Sequence, residues 1–278
     1  MRMNPILRAV LFFPLVCIGF LAACDDGANP MAEVEEPDEL TLAVSPKQLL
    51  ALDPLTVMSR NVYLGGDIAP VLGVGFSDLK LLSEVAAGVW GEIQGNDFHE
   101  RAVALVDELQ EQQPDIVGIQ ELAQFVVLNF DGAGGYIPDL PGIIDFRMIL
   151  EAEINARGLP YSFVAVQENT TVRVPVAGMD VPEVVFPGGF LPLQMVQLTI
   201  RDGILVRHGL DIQGASQGNY AATVPLGVGP DGIPIELKRG WIRVDMDYKG
   251  VAHHFVTTHM EVQGFSEIQV LQAQELLA

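Results

Sequence analysis

The chain alternates short apolar runs with amphipathic stretches. Val57-Met58-Ser59-Arg60-Asn61-Val62-Tyr63 reads as a strand stopped by Gly65-Gly66. The pattern predicts helix over 77–93. From Phe98 to Gln113 the apolar positions Ala102, Leu105 and Leu109 recur at helical spacing, while Asp107, Glu108 and Glu111 fall off that face. Pro114-Asp115 ends this helix, and Ile116-Val117-Gly118-Ile119 follows as a short apolar strand closing at Gln120-Glu121. A further helix is expected over 143–157, closed by Gly158 and Pro160. Tyr161–Val176, Met195–Arg207, Trp241–Tyr248 and His254–Thr258 read as strands, and 178–192 as a Pro/Gly-rich loop. Ser266–Ala278 begins an amphipathic helix on Ile268, Leu271 and Leu276. Strand, helix, strand in this order implies a sheet covered by helices.

The first segment has a different character. Arg2 and Arg8 precede an apolar run, Ala9–Ala23, which Pro14 interrupts and which is too short to span a bilayer. It reads as a secretory signal peptide over 1–23. It ends Leu21-Ala22-Ala23-Cys24, which resembles a bacterial lipobox, the site at which Cys24 is acylated and the peptide cut. The alternative is an ordinary signal or uncleaved anchor that happens to hold a cysteine. Residues 24–50 read as a tether, because 25–40 hold seven acidic residues and no Lys or Arg. The remaining 51–278 is then the folded domain. These readings place the protein in a bacterial cell envelope, secreted and held to a membrane by its lipid.

Charge narrows the chemistry. Across 278 residues, 36 acidic side chains face 15 basic ones, a formal charge of -21. That excludes nucleic-acid binding by broad phosphate neutralisation, which needs clustered Lys and Arg. Two cysteines, Cys17 and Cys24, exclude a disulfide framework.

Four polar residues stand at the ends of apolar runs: Asn61, Glu121, Asp202 and His259. A carboxylate ending a buried strand needs a cation or a hydrogen-bond network. An amide can hold a phosphate oxygen, and an imidazole can donate to developing negative charge. One carboxylate with water suits Mg²⁺. Each residue also has a plainer reading: Asn61 as a turn former, Glu121 as the cap of a following helix, Asp202 as a surface turn, His259 as a sheet residue. Arg60, Arg201, Arg207, Arg239 and Arg243 flank strand ends and offer a local basic patch.

The order of these segments resembles the endonuclease/exonuclease/phosphatase superfamily. Pro114–Glu121 carries the resemblance most specifically, supported by Val57–Asn61, Arg201–Arg207 and Phe255–Glu261. It implies an α/β fold, a four-layer α-β-β-α sandwich of two packed mixed sheets. It implies that Glu121 binds Mg²⁺ (with Mn²⁺ or Ca²⁺ as alternatives) and that Asn61, His259 and Asp202 act in hydrolysis. The partner is a phosphodiester substrate, nucleic acid or a phospholipid head group; no protein partner is expected. The family pattern continues with Gly-Asp-x-Asn and ends with Asp-His, and no Asp-x-Asn or Asp-His occurs in this sequence. The expectation is therefore a truncated domain without its late strands, inactive on its own. The competing expectation is a non-catalytic envelope lipoprotein that keeps the fold as a binding surface.

Overall fold

The computed structural model describes residues 54–228 and 234–278. The expected signal peptide, Cys24 and acidic tether lie outside them.

A six-stranded sheet forms the centre. Its strands are β1 (Val57–Asn61), β2 (Ile116–Gln120), β3 (Gln124–Phe130), β4 (Tyr136–Asp145), β5 (Tyr161–Asp180) and β6 (Phe190–Arg207). The order is β1-β2-β6-β3-β4, with β5 also paired to β6. β1 and β2 are parallel, with Asn61 in register with Gln120, and the other pairings are antiparallel. Short α1 (Ala69–Val74) is followed by α2 (Leu79–Gly95), α3 (Phe98–Gln112) and α4 (Phe146–Ala156). The last three start on aspartates, Asp78, Asp97 and Asp145, whose carboxylates accept first-turn N–H groups and so satisfy donors that would otherwise lack a partner. Ala86, Val89, Ile93, Ala102, Val106, Leu150 and Ile154 bury the apolar stripes of these helices in one core with Val117, Ile119, Phe125 and Leu205.

A second sheet comprises β7 (Asp211–Asn219), β10 (Gly240–Tyr248) and β11 (Val251–Thr258), ordered β11-β10-β7. β8 (Val224–Val228) pairs with β9 (Pro234–Leu237) as a separate ribbon. Ile116, Ile204 and Val206 of the large sheet interlock with Ile242, Val244 and Met246 of the small one. The helix layer and the two packed sheets match the sandwich expected. The second sheet is antiparallel throughout its three described strands rather than mixed. α5 (Ser266–Leu277) follows β11.

Several strands escape the sequence pattern for identifiable reasons. β4 contains Pro138 and Pro141, which are tolerated because β4 is an edge strand. Its last residues, 143–145, fall in the stretch expected to be helix, so α4 starts at Phe146. β7 is largely exposed and carries Gly214 and Gly218, so it shows no apolar alternation. β5 and β6 run into the expected 178–192 loop as a long hairpin whose turn occupies 181–189.

At two places a glycine of one sheet lets a side chain of the other come against its backbone. A Cβ on Gly118 would lie 2.5 Å from Thr257 Oγ1, and one on Gly240 would lie 2.5 Å from Asn169 Oδ1. Beside the first, Gln120 Nε2 donates to Thr257 Oγ1 at 2.7 Å, a buried bond from sheet to sheet. Gly118→Ala should force the sheets apart and cost roughly 1–3 kcal/mol, the range for an overpacked core. Urea unfolding of the two proteins checks this; equal midpoints would show that the gap can absorb a methyl group.

Candidate active site

The end of β1 is locally strained and tightly held. Asn61 closes the strand, and Asn61 Oδ1 accepts from Tyr63 N at 2.8 Å. Tyr63 and Glu121 both adopt positive φ, 57° and 61°, a region that non-glycine residues seldom occupy. Arg101 of α3 secures the first of these turns by donating through Nη1 to the carbonyls of Val62 and Tyr63. Its guanidinium lies 4.9 Å from the Phe98 ring centroid and 5.4 Å from that of Phe146. Its Nε and Nη2 are buried without a hydrogen-bond partner, so the aromatic faces are their surroundings. Burial lowers its pKa from the ordinary value, against the charges of Tyr63, Asp97 and Glu121. The sequence signal for Arg101 was faint: a cation three residues after Phe98, on the flank of an apolar helix face.

Glu121 sits where these turns converge. Asn61 Nδ2 donates to its Oε1 at 2.8 Å, and Leu64 N donates to Oε2 at 2.9 Å. His259, just past β11, places Nε2 3.9 Å from Glu121 Oε1, with both side chains 17% exposed. Asn61, Glu121 and His259 thus arrive from β1, β2 and β11 at one small cleft. Burial lowers the His259 pKa to about 4; the Arg239 guanidinium adds to this and Glu121 opposes it. At neutral pH the imidazole is uncharged.

Asp202 lies within β6, not at a strand end or in a surface turn, and is 0% exposed. Its Oδ1 accepts from Glu121 N at 3.4 Å and its Oδ2 from Asn169 Nδ2 at 2.8 Å. Burial pushes its carboxyl up to about 6, while Asn169, the Glu121 N–H and Arg239 pull the other way. It stands behind Glu121 and fixes that residue's backbone; it does not line the cleft. Asn169, which the sequence reading did not single out, connects Asp202 to the small sheet through Asn219 Nδ2 at 3.2 Å. Nor does Glu121 cap a helix, because β3 follows it.

The five arginines do not form a patch. Arg60 pairs with Glu108, Arg201 with Asp145, Arg207 with Asp115, Arg239 with Glu261 and Arg243 with Asp245. Of these five, Arg239 is the one bonded to a cleft residue, His259.

The residues present suit a hydrated cation. Glu121, Asp202 and Glu261 bring three carboxylates, against the guanidiniums of Arg239 and Arg101, which leaves one negative charge uncompensated when all are ionised. Each Glu121 oxygen accepts one hydrogen bond and keeps a further acceptor position. Among the described residues no group of three or more His, Cys, Asp and Glu gathers to form a protein cage. Glu121 alone, with its open oxygen positions, would fit an ion that keeps its own hydration, as Mg²⁺ does, better than Zn²⁺ with its several nitrogen and sulfur ligands. Next to Asn169 a cavity of about 740 Å³ opens along the β5–β6 hairpin, walled by Thr171, Arg173, Met195 and Gln197 and flanked by Lys238.

No family model and no curated protein sequence matches this one. Several solved structures align with part of it. A Bacteroides thetaiotaomicron mannosyl-6-phosphatase aligns with a TM-score of 0.38 and 15% identity over 81% of this chain and 59% of its own. The catalytic domain of human nocturnin, with bound sulfate, aligns at 0.34 and 14% over 81% and 57%. D. rerio TDP2 with a single-strand DNA product aligns at 0.32 and 14% over 65% and 47%. The chain spans about half the length of the TDP2 structure and under two thirds of the other two.

Below the cleft, Arg201 Nη2 donates to Asp145 Oδ1 at 2.7 Å, with both side chains buried. Burial alone would raise the Asp145 pKa, but the Arg201 bond and charge, Met148 N–H and Gln124 outweigh it and hold it below the ordinary range. A depressed folded value means the pair stabilises above the unfolded carboxyl pKa, about 3.9, and that this share is lost as pH falls through the lower folded value. Asp145→Asn keeps the helix cap and removes the charge. It should cost about 3 kcal/mol at pH 7 and flatten the acid limb of stability. Denaturant melts from pH 2 to 7 measure both effects; a parallel offset at every pH would refute the ionic account.

Proposed function

We propose that the cleft hydrolyses phosphoester bonds with the help of a divalent cation. The supporting observation is the meeting of an amide, a carboxylate and a neutral imidazole from three separate strands, with Asp202 and Asn169 bracing them from behind. Glu121 would hold the cation. When bound, that ion would neutralise phosphate charge and polarise the ester as a Lewis acid. Asn61 fixes the rotamer of Glu121 and presents its amide edge to the cleft. His259 Nε2 offers a hydrogen bond to an oxygen that gains charge, the type of preorganised donor whose loss costs roughly 10²–10³ in rate. With Glu121 given to the cation, no other described side chain around it is free to take a proton from water, because Asp202 is buried with both oxygens bonded and His259 Nδ1 is engaged. This observation favours a second reading, a phosphoester-binding module without turnover. The substrate proposal covers nucleic acid and phospholipid head groups, and the envelope location and Cys24 acylation belong to the same proposal.

The test uses the full chain. Mn²⁺ binding read by electron paramagnetic resonance should weaken at least tenfold in Glu121→Gln. Turnover of a bis-nitrophenyl phosphate with Mg²⁺ should fall about 10²-fold or more in His259→Ala. Cation binding lost in Glu121→Gln with no turnover in the parent supports the binding module. Cation binding indifferent to Glu121 overturns both readings.

A further inference from the structure

The polar string behind His259 deepens this reading and rests on it. Arg239 Nη1 lies 3.1 Å from His259 Nδ1. A guanidinium has donors and no acceptor, so Nδ1 must be the acceptor and cannot carry a proton while this bond stands. The single N–H of the neutral ring is then on Nε2, the nitrogen that faces Glu121. The arginine is itself held. Glu261 Oε1 accepts from Arg239 Nε at 2.9 Å and Oε2 from Nη2 at 3.4 Å, a fork-to-fork pair with Glu261 1% exposed. Glu261 is fixed in turn by α5: its backbone N donates to Gln272 Oε1 at 2.9 Å, and Gln272 Nε2 donates to Ala222 O at 3.0 Å. Gln272 is 0% exposed, and its two bonds use both ends of the amide. Nearby, Thr258 Oγ1 donates to Gly240 O, so it accepts from Tyr220 and braces the residue before His259.

We propose that Arg239, gripped by Glu261 and through it by Gln272, is a positioning residue that locks His259 in its Nε2–H tautomer and so keeps an N–H, the donor that a phosphoester oxygen would meet, on the Glu121 side of the ring. An Nδ1–H tautomer would set an N–H against the guanidinium and lose the bond that orients the ring.

The test is nitrogen NMR of full-length protein carrying ¹⁵N-histidine, at pH 7. In the parent, one of the five histidines should show Nδ1 in the unprotonated range and Nε2 in the N–H range, and the signal should vanish in His259→Ala. Arg239→Lys, still a donor without acceptors, should keep that pattern. Glu261→Gln, which touches Arg239 and not His259, should move both resonances toward the average of exchanging tautomers. A parent spectrum with Nδ1 protonated, or Glu261→Gln resonances unmoved in a folded protein, would overturn the proposal. The parent spectrum decides the first point even if a variant fails to fold. Turnover and cation binding are not read, so failure here is distinct from failure of the hydrolase reading.

Discussion

The bare contact of the two sheets at Gly118 and Thr257 controls the rest of the molecule. β2 delivers Glu121 and β11 delivers His259, and these residues lie far apart in sequence. Strands in stacked sheets ordinarily stand about 10 Å apart, filled by side chains from both faces. At Gly118 one of those side chains is missing, and Thr257 occupies its place. The Gln120–Thr257 bond then sets the height of one strand against the other. One residue past Gln120 and two past Thr257, Glu121 and His259 come within 3.9 Å. Gly240 repeats the device where Asn169 approaches, so the support behind Asp202 depends on the same absence of Cβ.

On this frame the cleft uses neutral donors around a single carboxylate. Glu121 accepts from an amide and a backbone N–H and borders a neutral imidazole. None of these contacts discharges it, whereas Glu261 and Asp145 are matched by buried guanidiniums. An incompletely compensated carboxylate at 17% exposure is costly in a stable fold. The positive φ of Glu121 and Tyr63 adds backbone strain at the same point. Stability alone explains neither expense, and both suit a site that gains from a cation.

Glu121 was legible because it follows a run whose apolar character marks a buried strand, whereas Asn61 and His259 end largely exposed strands and were legible through the motifs they belong to. Asp202 was visible as a residue but not as a position, since Arg201-Asp202-Gly203 reads equally as a turn; burial of β6 between helices and small sheet decides it. Arg101, Asn169, Glu261 and Gln272 were not legible, because their roles arise from pairings between segments that no local pattern relates. Gln272 shows the difficulty well. The pattern puts the helix on Ile268, Leu271 and Leu276; Leu271 is exposed, and the inward line is Ile268, Gln272 and Leu276. An amide in the middle of an apolar stripe looks like an interruption in sequence and acts as the anchor in the fold.

The pairing of the arginines bears on how a substrate would be held. A protein of formal charge -21 creates a field that repels polyanions at long range. Local cations could offset this, yet Arg60, Arg201, Arg207, Arg239 and Arg243 each meet a carboxylate, and those pairs cancel at any distance larger than their own separation. On the proposed function, attraction for a phosphate would then arise at short range, from a divalent ion held by Glu121, from oriented N–H groups and from near cations such as Lys238. Such a site gains little from the length of a charged chain. On the proposed function, it would discriminate by the geometry of one ester.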